Sequence, residues 1–364
     1  MSHKNNHAKA IALYLPQFHP IPENDEWWGR GFTEWTNTAK AKPLFKGHYQ
    51  PHIPADLGFY DLRVSETREA QAEMARKASI YGFCYYHYWF AGRRILERPF
   101  NEVLASKKPD APFCLCWANE SWTGIWHGAP GKTLIEQTYP GENDHRAHFE
   151  ALLPAFLDDR YMKQDGKPIF LLYKPEKLPD SNRTLDLWRE LAVRNGLPGI
   201  HFVGMNALYM WRPEQHGFDA KILLPFVTHR EWVSKRRPIA WLRKQIEIKM
   251  GLPVFHEQTD INEKYLATLA HEMEKATKPT YPCLVHAWDN TPRAKENGVV
   301  MTGSSPELYG NLIKRSMDII KIKPAQDQLV FLKAWNEWAE GNHLEPDLRN
   351  GDAYLNQVSK HFSK

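Results

Sequence analysis

The chain has few of the features that mark disulfide-bonded, metal-binding or membrane-spanning proteins. Its 364 residues include only four cysteines, and no two of them form a CxxC pair. Three of the four lie inside apolar, strand-like runs, so we expect buried free thiols in a reducing compartment. No nearby Cys or His set completes a metal site around Cys114 and Cys116. The sequence therefore predicts neither a disulfide framework nor a bound metal or cofactor.

Long apolar segments are also missing. No run approaches the roughly 18 apolar residues of a membrane span. The apolar stretch Ala10–Leu15 is too short for the core of a signal peptide. From these absences we expect a cytoplasmic protein without a transmembrane segment.

Motifs for binding nucleotides and nucleic acids are absent as well. The chain has no DxD triplet, no Walker-type loop and no GxGxxG loop. It has no zinc-finger spacing and no long basic run, and its net charge of +4 is only mildly basic. Nucleic acid is therefore not an expected partner.

Eight short apolar runs alternate with helix-like segments along the chain. Each run has the length of a strand that is buried on both faces, as in parallel sheets. The helix-like segments carry stop signals; Thr184–Asn195, for example, is followed by Gly196 and Pro198. Eightfold alternation predicts an α/β fold with a single (β/α)8 TIM barrel, and a doubly wound open sheet is the alternative. The runs are Ala10–Phe18, Tyr81–Phe90, Pro112–Asn119, Lys167–Lys174, Gly199–Ala207, Ala220–Phe226, Tyr281–Asn290 and Leu329–Trp338.

Two connections, after strands 1 and 6, are much longer than the others. The first, Pro20–Arg63, is rich in Pro, Trp and Gly, so we expect an ordered loop on the active-site face of the barrel. The second, Val227–Pro279, contains a basic, partly amphipathic stretch at residues 235–249. A solvated surface helix is its usual explanation, and a peripheral contact with an anionic membrane or glycan is the alternative. We predict a flexible tail over residues 1–9 and one barrel domain over residues 10–364.

Tryptophan is abundant, with 14 residues, and many of these lie beside polar side chains, as in Trp117–Trp122. Large aromatic side chains often fill cores. A flat apolar face beside hydrogen-bonding groups also suits a sugar, so at strand ends we expect binding roles. The candidate substrate-binding residues at the ends of the predicted strands are Tyr14, Gln17, His87, Trp89, Asn119, Glu120, Trp122, Tyr173, Trp288, Asp289, Trp335 and Asn336.

For several of these candidates a structural role is the alternative. His87 could equally be a hydrogen-bonded core histidine, and Tyr14 and Gln17 could serve packing. Asp289 could form an ion pair with Arg293 instead of binding a sugar hydroxyl. The fold favours binding slightly, because the carboxyl ends of all barrel strands meet on one rim.

Two carboxylates, Glu337 and Glu340, follow the eighth predicted strand and are flanked by Trp335 and Trp338. Positions three apart face opposite ways on a strand, but in a helical turn their Cβ atoms lie about 5–6 Å apart on one face. Retaining glycosidases need two carboxyl groups roughly 5–5.5 Å apart, one of them protonated. A neighbouring carboxylate and apolar walls would raise the pKa of such a group. We therefore predict that this pair is catalytic; a solvated pair on a loop is the alternative.

Seven motifs occur in order along nearly the whole chain: YLPQFH at 14–19, WWGRGFTEW at 27–35, HYQP at 48–51, YYHYWF at 85–90, WANESW at 117–122, WDN at 288–290 and WNEWAEG at 335–341. Together they resemble the WbsX-like proteins, relatives of the glycoside hydrolase family 99 endo-α-mannosidases. The resemblance implies a (β/α)8 barrel, no metal, and an oligosaccharide or polysaccharide substrate.

The resemblance also implies roles for the two carboxylates. Glu337 would act as a base on the sugar 2-hydroxyl, which attacks the anomeric carbon and gives a 1,2-anhydro sugar. Glu340 would be the general acid for the leaving group and then the base for water, so that configuration is retained. Glu120 would match a rim glutamate that contacts the substrate. Ala339 stands where the endo-mannosidases have a bulkier polar residue, a difference that concerns substrate identity.

The leading hypothesis is a retaining, endo-acting α-glycoside hydrolase, α-mannosidase-like, that acts on a bacterial polysaccharide, O-antigen or capsule glycan. WbsX-like proteins occur in lipopolysaccharide and capsule biosynthesis, so a metal-independent glycosyltransferase is the first alternative. A non-catalytic glycan-binding barrel is the second. A mechanistic variant pairs Glu120 with Glu337 in a double displacement through a glycosyl-enzyme.

Overall fold

The computed structural model describes residues 8–124, 133–205, 211–225, 252–324 and 328–363. Eight parallel strands pair in chain order, and the eighth pairs with the first to close a barrel. Closure confirms the predicted (β/α)8 barrel and excludes the open sheet. The strands are β1 (Lys9–Tyr14), β2 (Gly82–Phe90), β3 (Phe113–Trp117), β4 (Lys167–Leu172), β5 (His201–Gly204), β6 (Ala220–Leu223), β7 (Thr280–Val285) and β8 (Leu329–Lys333).

Helices follow the strands as predicted, with small shifts at their ends. The helix predicted over Thr184–Asn195 begins three residues earlier and ends one residue earlier, and the helix Pro306–Ile320 precedes the eighth strand. Ser305 caps the latter, because its Oγ accepts a hydrogen bond from the Leu308 amide at 3.2 Å. The helices are α1 (Pro22–Trp28), α2 (Glu34–Lys40), α3 (Ser65–Lys77), α4 (Arg98–Ser106), α5 (Glu142–Phe156), α6 (Ser181–Arg194), α7 (Gln258–Lys275), α8 (Thr291–Ala294), α9 (Pro306–Ile320) and α10 (Ala353–Phe362).

The barrel strands form the centre of the hydrophobic core. All nine residues of β2 are buried, as are all five residues of β3. The four cysteines are buried and free, as their apolar surroundings predict. Burial raises the pKa of the Cys283 thiol to about 12, so this sulfur stays protonated and unreactive.

The long connection after β1 is ordered and packs on the end of the barrel where the strands finish. It contains α1 and α2, and Trp35 of α2 contacts the rings of Phe18 and Trp338. In the connection after β6, residues 226–251 lie outside the described residues, and with them the basic stretch at 235–249. Beyond this gap the strand Val254–Glu257 pairs with Val299–Thr302.

Residues 1–7 of the predicted tail are likewise outside the described residues, and β1 begins at Lys9, inside that predicted tail. None of the helices that the structure describes has the length and apolar character that a bilayer crossing requires.

Candidate active site

The segment after β8 brings Glu337 and Glu340 into one cavity of about 410 Å³. Glu337 ends the short strand Asn336–Glu337, and a single 3-10 turn over Trp338–Glu340 follows. Gly341 ends that turn with a φ of +55°, and a Cβ atom there would lie 3.0 Å from a side-chain atom of Asp289. The chain therefore makes the helical turn that puts both carboxylates on one face.

Two cations whose side chains are largely withdrawn from solvent, Arg293 at 13% and Lys333 at 8% exposure, bind this carboxylate pair. Arg293 donates from Nη1 to Glu340 Oε1 at 2.6 Å and from Nη2 to Glu337 Oε2 at 3.1 Å. Its Nε atom donates to Glu34 Oε1 at 2.8 Å. Lys333 Nζ lies 3.3 Å from Glu340 Oε2 and 3.8 Å from Glu337 Oε1. Glu340 thus has the closer contact with each cation.

The ionised cluster has one more negative charge than positive charges, so one bound proton would make it neutral. Glu34, Glu337 and Glu340 carry three negative charges when ionised, whereas Arg293 and Lys333 carry two positive ones. Burial first, and then the Glu340 carboxylate, raise the pKa of Glu337 against the opposing effect of the two cations. Because charges in a buried site interact strongly, the cluster favours holding one proton.

Aromatic side chains form much of the cavity wall. Trp122 contacts the ring of Tyr88 edge-on at 5.2 Å, and Tyr86 contacts Tyr173 in the same way at 6.1 Å. Burial raises the pKa of all three tyrosines, so their hydroxyls stay protonated and able to donate hydrogen bonds. Trp28 completes this apolar wall. Such a surface can stack on the C–H face of a sugar and bind its hydroxyls.

The outer part of the cavity is more polar. Glu120 accepts from Lys177 Nζ at 2.9 Å, and about half of the Lys177 side chain is exposed to solvent. Gln17 also lines the cavity, and its backbone carbonyl accepts from the Glu34 amide at 2.9 Å. Of the residues predicted from the sequence, Gln17, Glu120, Trp122, Tyr173, Glu337 and Glu340 therefore meet in one place.

Three other predicted residues lie elsewhere. Tyr14 is buried between the barrel and α3, where its hydroxyl donates to Gln71 Oε1 at 2.7 Å. His87 Nε2 lies 2.8 Å from His148 Nε2, and Trp89 stacks on the same histidine. Their side chains contact α3 and α5 instead of the cavity, because successive residues of a strand face opposite sides.

Asn119 and Asn336 hold loops together instead of facing the cavity. The Asn119 side chain bonds both the amide and the carbonyl of Lys174. The Asn336 side chain does the same with Leu15, at 2.8 and 3.0 Å. Trp335 is fully buried against Phe83. These residues position the strand ends on which the cavity residues lie.

Trp288 and Asp289 line a second cavity, described below, and are absent from the wall of the first. Asp289 accepts from Gln50 Nε2 at 2.7 Å and lies 2.6 Å from His48 Nε2. Its other oxygen accepts from the Thr291 hydroxyl at 2.6 Å. The carboxylate partners of Arg293 are the three glutamates named above, so the ion pair considered between Asp289 and Arg293 does not form.

The most important residues that the sequence analysis missed are Glu34, Lys333, Tyr86 and Tyr88, together with the bridging role of Arg293. Lys333 lies two residues before the WNEWAEG motif, and Glu34 lies inside the second motif, so both positions carried a weak signal. Tyr86 and Tyr88 also lie inside a motif, YYHYWF, but the strand is buried on both faces, so its sequence does not show which of its residues face the cavity.

A family model described as Glycosyltransferase WbsX matches residues 10–358. Two proteins, each called uncharacterized protein WxcX, from Xanthomonas campestris pv. campestris strains B100 and ATCC 33913, are 37% and 38% identical to this chain. The matches cover 98% of this chain and 50% of each relative, so the chain spans about half the length of these curated relatives.

Solved structures with a similar fold include a GH99 endo-alpha-mannosidase from Bacteroides thetaiotaomicron, with a TM-score of 0.59 and 15% identity. That match covers 98% of this chain and 96% of the other. A glycoside hydrolase-like protein also has a TM-score of 0.59, with 14% identity. That match covers 100% of this chain and 96% of the other chain. At such identities the likeness shows the shared fold alone.

Proposed function

Since the chain belongs to the family described as glycosyltransferase WbsX, we propose that its carboxylate cavity cleaves glycosidic bonds as a retaining, endo-acting α-glycoside hydrolase. The substrate would be a bacterial polysaccharide, such as an O-antigen or capsule glycan. One observation carries the proposal: Glu337 and Glu340 face the same cavity and share the charges of Arg293 and Lys333.

In the proposed reaction Glu337 takes the proton of the sugar 2-hydroxyl while that oxygen attacks the anomeric carbon. Glu340 gives its proton to the departing glycosidic oxygen, and a 1,2-anhydro sugar results. Water then opens the strained ring at the anomeric carbon; Glu340 accepts the proton of this water, and Glu337 returns its proton to O2. The raised pKa of Glu337 suits this role, because a base works best with a pKa near the working pH.

Arg293 and Lys333 set a condition on this sequence. Both cations donate to the Glu340 carboxylate, Arg293 to Oε1 and Lys333 to Oε2, so both oxygens already serve as acceptors, whereas an oxygen that carries a proton is a donor. For Glu340 to donate a proton, the bound substrate has to weaken at least one of these contacts. Glu34 offers Arg293 an alternative partner at 2.8 Å, so the guanidinium can stay paired while Glu340 is protonated.

A glycosyltransferase is the second candidate, and the description of the family favours it. A transferase that uses a nucleotide sugar needs positive charge for the diphosphate. In the described part of the cavity wall, however, Arg293, Lys333 and Lys177 are each paired with a glutamate. A diphosphate would have to break these pairs, so the charge arrangement supports the hydrolase.

The proposal is tested by incubating the purified protein with α-linked oligosaccharides and with O-antigen or capsule preparations. Mass spectrometry would identify released fragments, and NMR would follow the configuration of the first product. We expect internal cleavage with retention, lost in Glu337→Gln and Glu340→Gln. Sugar transfer from a nucleotide donor without any glycan cleavage would overturn the hydrolase and establish the second candidate. Glycan binding without cleavage or transfer would support a non-catalytic, glycan-binding barrel instead.

A further inference from the structure

The second cavity has a volume of about 400 Å³, and the described residues that line it are all different from those of the first. Trp288 lies between the two, because it lines the second cavity while Lys333 of the first lies 5.0 Å from its ring centroid. On the wall of the second cavity, His52, His343 and Asp347 each offer one ligand atom, and these atoms lie within 4.8 Å of one another. We propose that this cluster binds a divalent transition-metal ion, with zinc as the first choice.

His343 is held in the orientation that a metal ligand needs. Its Nδ1 atom lies 2.9 Å from the Glu345 carbonyl oxygen. A carbonyl only accepts, so Nδ1 carries the hydrogen and Nε2 presents a lone pair, which faces His52 Nδ1. The ring also stacks on Trp338, with centroids 3.6 Å apart. A histidine that binds metal through one nitrogen usually donates from the other in this way.

His52 places its Nδ1 atom 2.8 Å from His343 Nε2. In a tetrahedral zinc site with bonds of about 2.0–2.1 Å, two ligand atoms lie roughly 3.3–3.4 Å apart. The two imidazoles therefore need to separate by about half an ångström to admit the ion. His52 is half-buried and lies in the loop after β1, where Tyr49 packs against its ring with centroids 4.5 Å apart, so the movement would displace loop side chains and no barrel strand.

Asp347 supplies the third ligand from a carboxylate that is already fixed. Its Oδ1 atom accepts from the backbone amides of Arg349 and Asn350, at 2.8 and 2.6 Å. Its Oδ2 atom accepts from Asn350 Nδ2 at 3.1 Å and lies 3.8 Å from His343 Nε2. Such hydrogen bonds orient a carboxylate toward a metal in the same way as they orient a histidine.

The ligand set indicates the kind of ion. Two imidazoles and one carboxylate suit zinc and neighbouring first-row ions, whereas calcium and magnesium prefer oxygen ligands throughout. Water from the cavity would complete the coordination shell. His343 pairs with Asn336, the residue before Glu337, and His52 belongs to the loop after β1. The ion would therefore fasten that loop beside the catalytic pair, as a positioning element that the expectation of a metal-free protein did not include.

The test measures zinc in full-length protein that is stripped with EDTA, reloaded with zinc and dialysed. We expect one tightly held ion per chain in the wild type and a zinc-dependent rise in Tm. His52→Ala and Asp347→Asn should lose both, and the asparagine keeps an oxygen that can accept from the Arg349 and Asn350 amides. His271→Ala is the matched control, because His271 is exposed on α7 and its loss should change neither readout.

Equal zinc content in the wild type, His52→Ala and Asp347→Asn would overturn the proposal and show adventitious binding at other histidines. No zinc-dependent change in Tm would do the same, and the contact between His52 and His343 would then be a simple hydrogen bond. Neither readout uses a substrate, so the result is independent of the proposed hydrolase activity.

Discussion

The short segment after β8 contains three glutamates in two different environments. Glu337 and Glu340 have cations as partners, whereas Glu345 has neutral hydrogen-bond donors. The first two face the 410 Å³ cavity and have Arg293 and Lys333 as partners. Glu345 is 2% exposed and is absent from that cavity wall.

The hydrogen bonds of Glu345 all come from neutral donors. Oε2 accepts from the Tyr60 hydroxyl at 2.8 Å and from Trp338 Nε1 at 2.6 Å, and Oε1 accepts from Gln71 Nε2 at 2.6 Å. Burial raises its pKa to about 7 although these bonds oppose the shift. A raised carboxyl pKa thus occurs in both environments, and what distinguishes the candidate catalytic pair is its two cation partners in the 410 Å³ cavity, since Glu345 lines the second cavity without a cation partner among its hydrogen-bond donors.

The largest effect should come from changing the pair itself. We expect Glu337→Gln and Glu340→Gln to lower the cleavage rate about 10²–10⁴-fold, the usual contribution of a general acid or base. Stability should change little, because two carboxylates remain for two cations. Initial rates and Tm values for both variants check this. A rate loss of the same size in Glu345→Gln would remove the distinction between the two environments.

Arg293→Met should destabilise the fold, because it removes one of the two cations that pair with the cavity carboxylates. It removes no partner of Glu345. Three buried carboxylates would face one cation, and loss of one partner of a buried pair costs about 3–5 kcal/mol. Urea unfolding at neutral pH measures this loss. Adding Glu34→Gln to the same chain should restore part of it, since one uncompensated charge is removed. Unchanged stability of Arg293→Met would mean that the cations do not hold the cluster together.

Glu345→Gln should change how the free energy of unfolding depends on pH, because Glu345 is buried among neutral donors. The folded-state pKa of Glu345 is about 7, above its ordinary value of 4.5, so the folded protein binds this proton more tightly. The stability that this group contributes is therefore present at low pH and falls as the pH rises from about 4.5 to 7. The wild-type free energy of unfolding should fall relative to Glu345→Gln by on the order of 3 kcal/mol across that range. If the free energies of unfolding of the two proteins changed in parallel with pH, Glu345 would not have a raised pKa in the folded state.

Glu120→Gln should have the smallest effect. Its partner Lys177 is half exposed, and such pairs contribute about 0–1 kcal/mol, so we expect less than a tenfold loss of rate. The same assay used for Glu337→Gln checks it. A loss as large as that of Glu337→Gln, together with a trapped glycosyl-enzyme on Glu337, would instead favour a double displacement that uses Glu120.

The barrel could be predicted because its signals are local. Each of the eight strands lies inside a predicted apolar run or extends at most one residue beyond it. Helix stops such as Gly196 lie close to where the helices end. The carboxylate pair was predictable for the same reason, since both residues lie in one seven-residue motif.

The remaining parts of the site depend on contacts that no local pattern contains. His87 and Trp89 were the binding residues predicted on β2, whereas the cavity is lined by Tyr86 and Tyr88. A strand buried on both faces gives no indication of which residues face inward. Asp289 was expected to bind sugar, but its partner His48 lies 241 positions away. Such pairings arise only when the chain has folded.

The contacts of Arg293 have a consequence for when the proposed active site forms during folding. This residue, from the segment after β7, joins Glu34 after β1 to the glutamates after β8, and Glu34 lies 259 positions away in the chain. Contacts of such sequence separation form late, because the loop-closure entropy has to be overcome first. Recovery of the proposed cleavage activity after denaturation should therefore lag behind recovery of helical circular dichroism, and that activity would indicate that the first and last strands have joined.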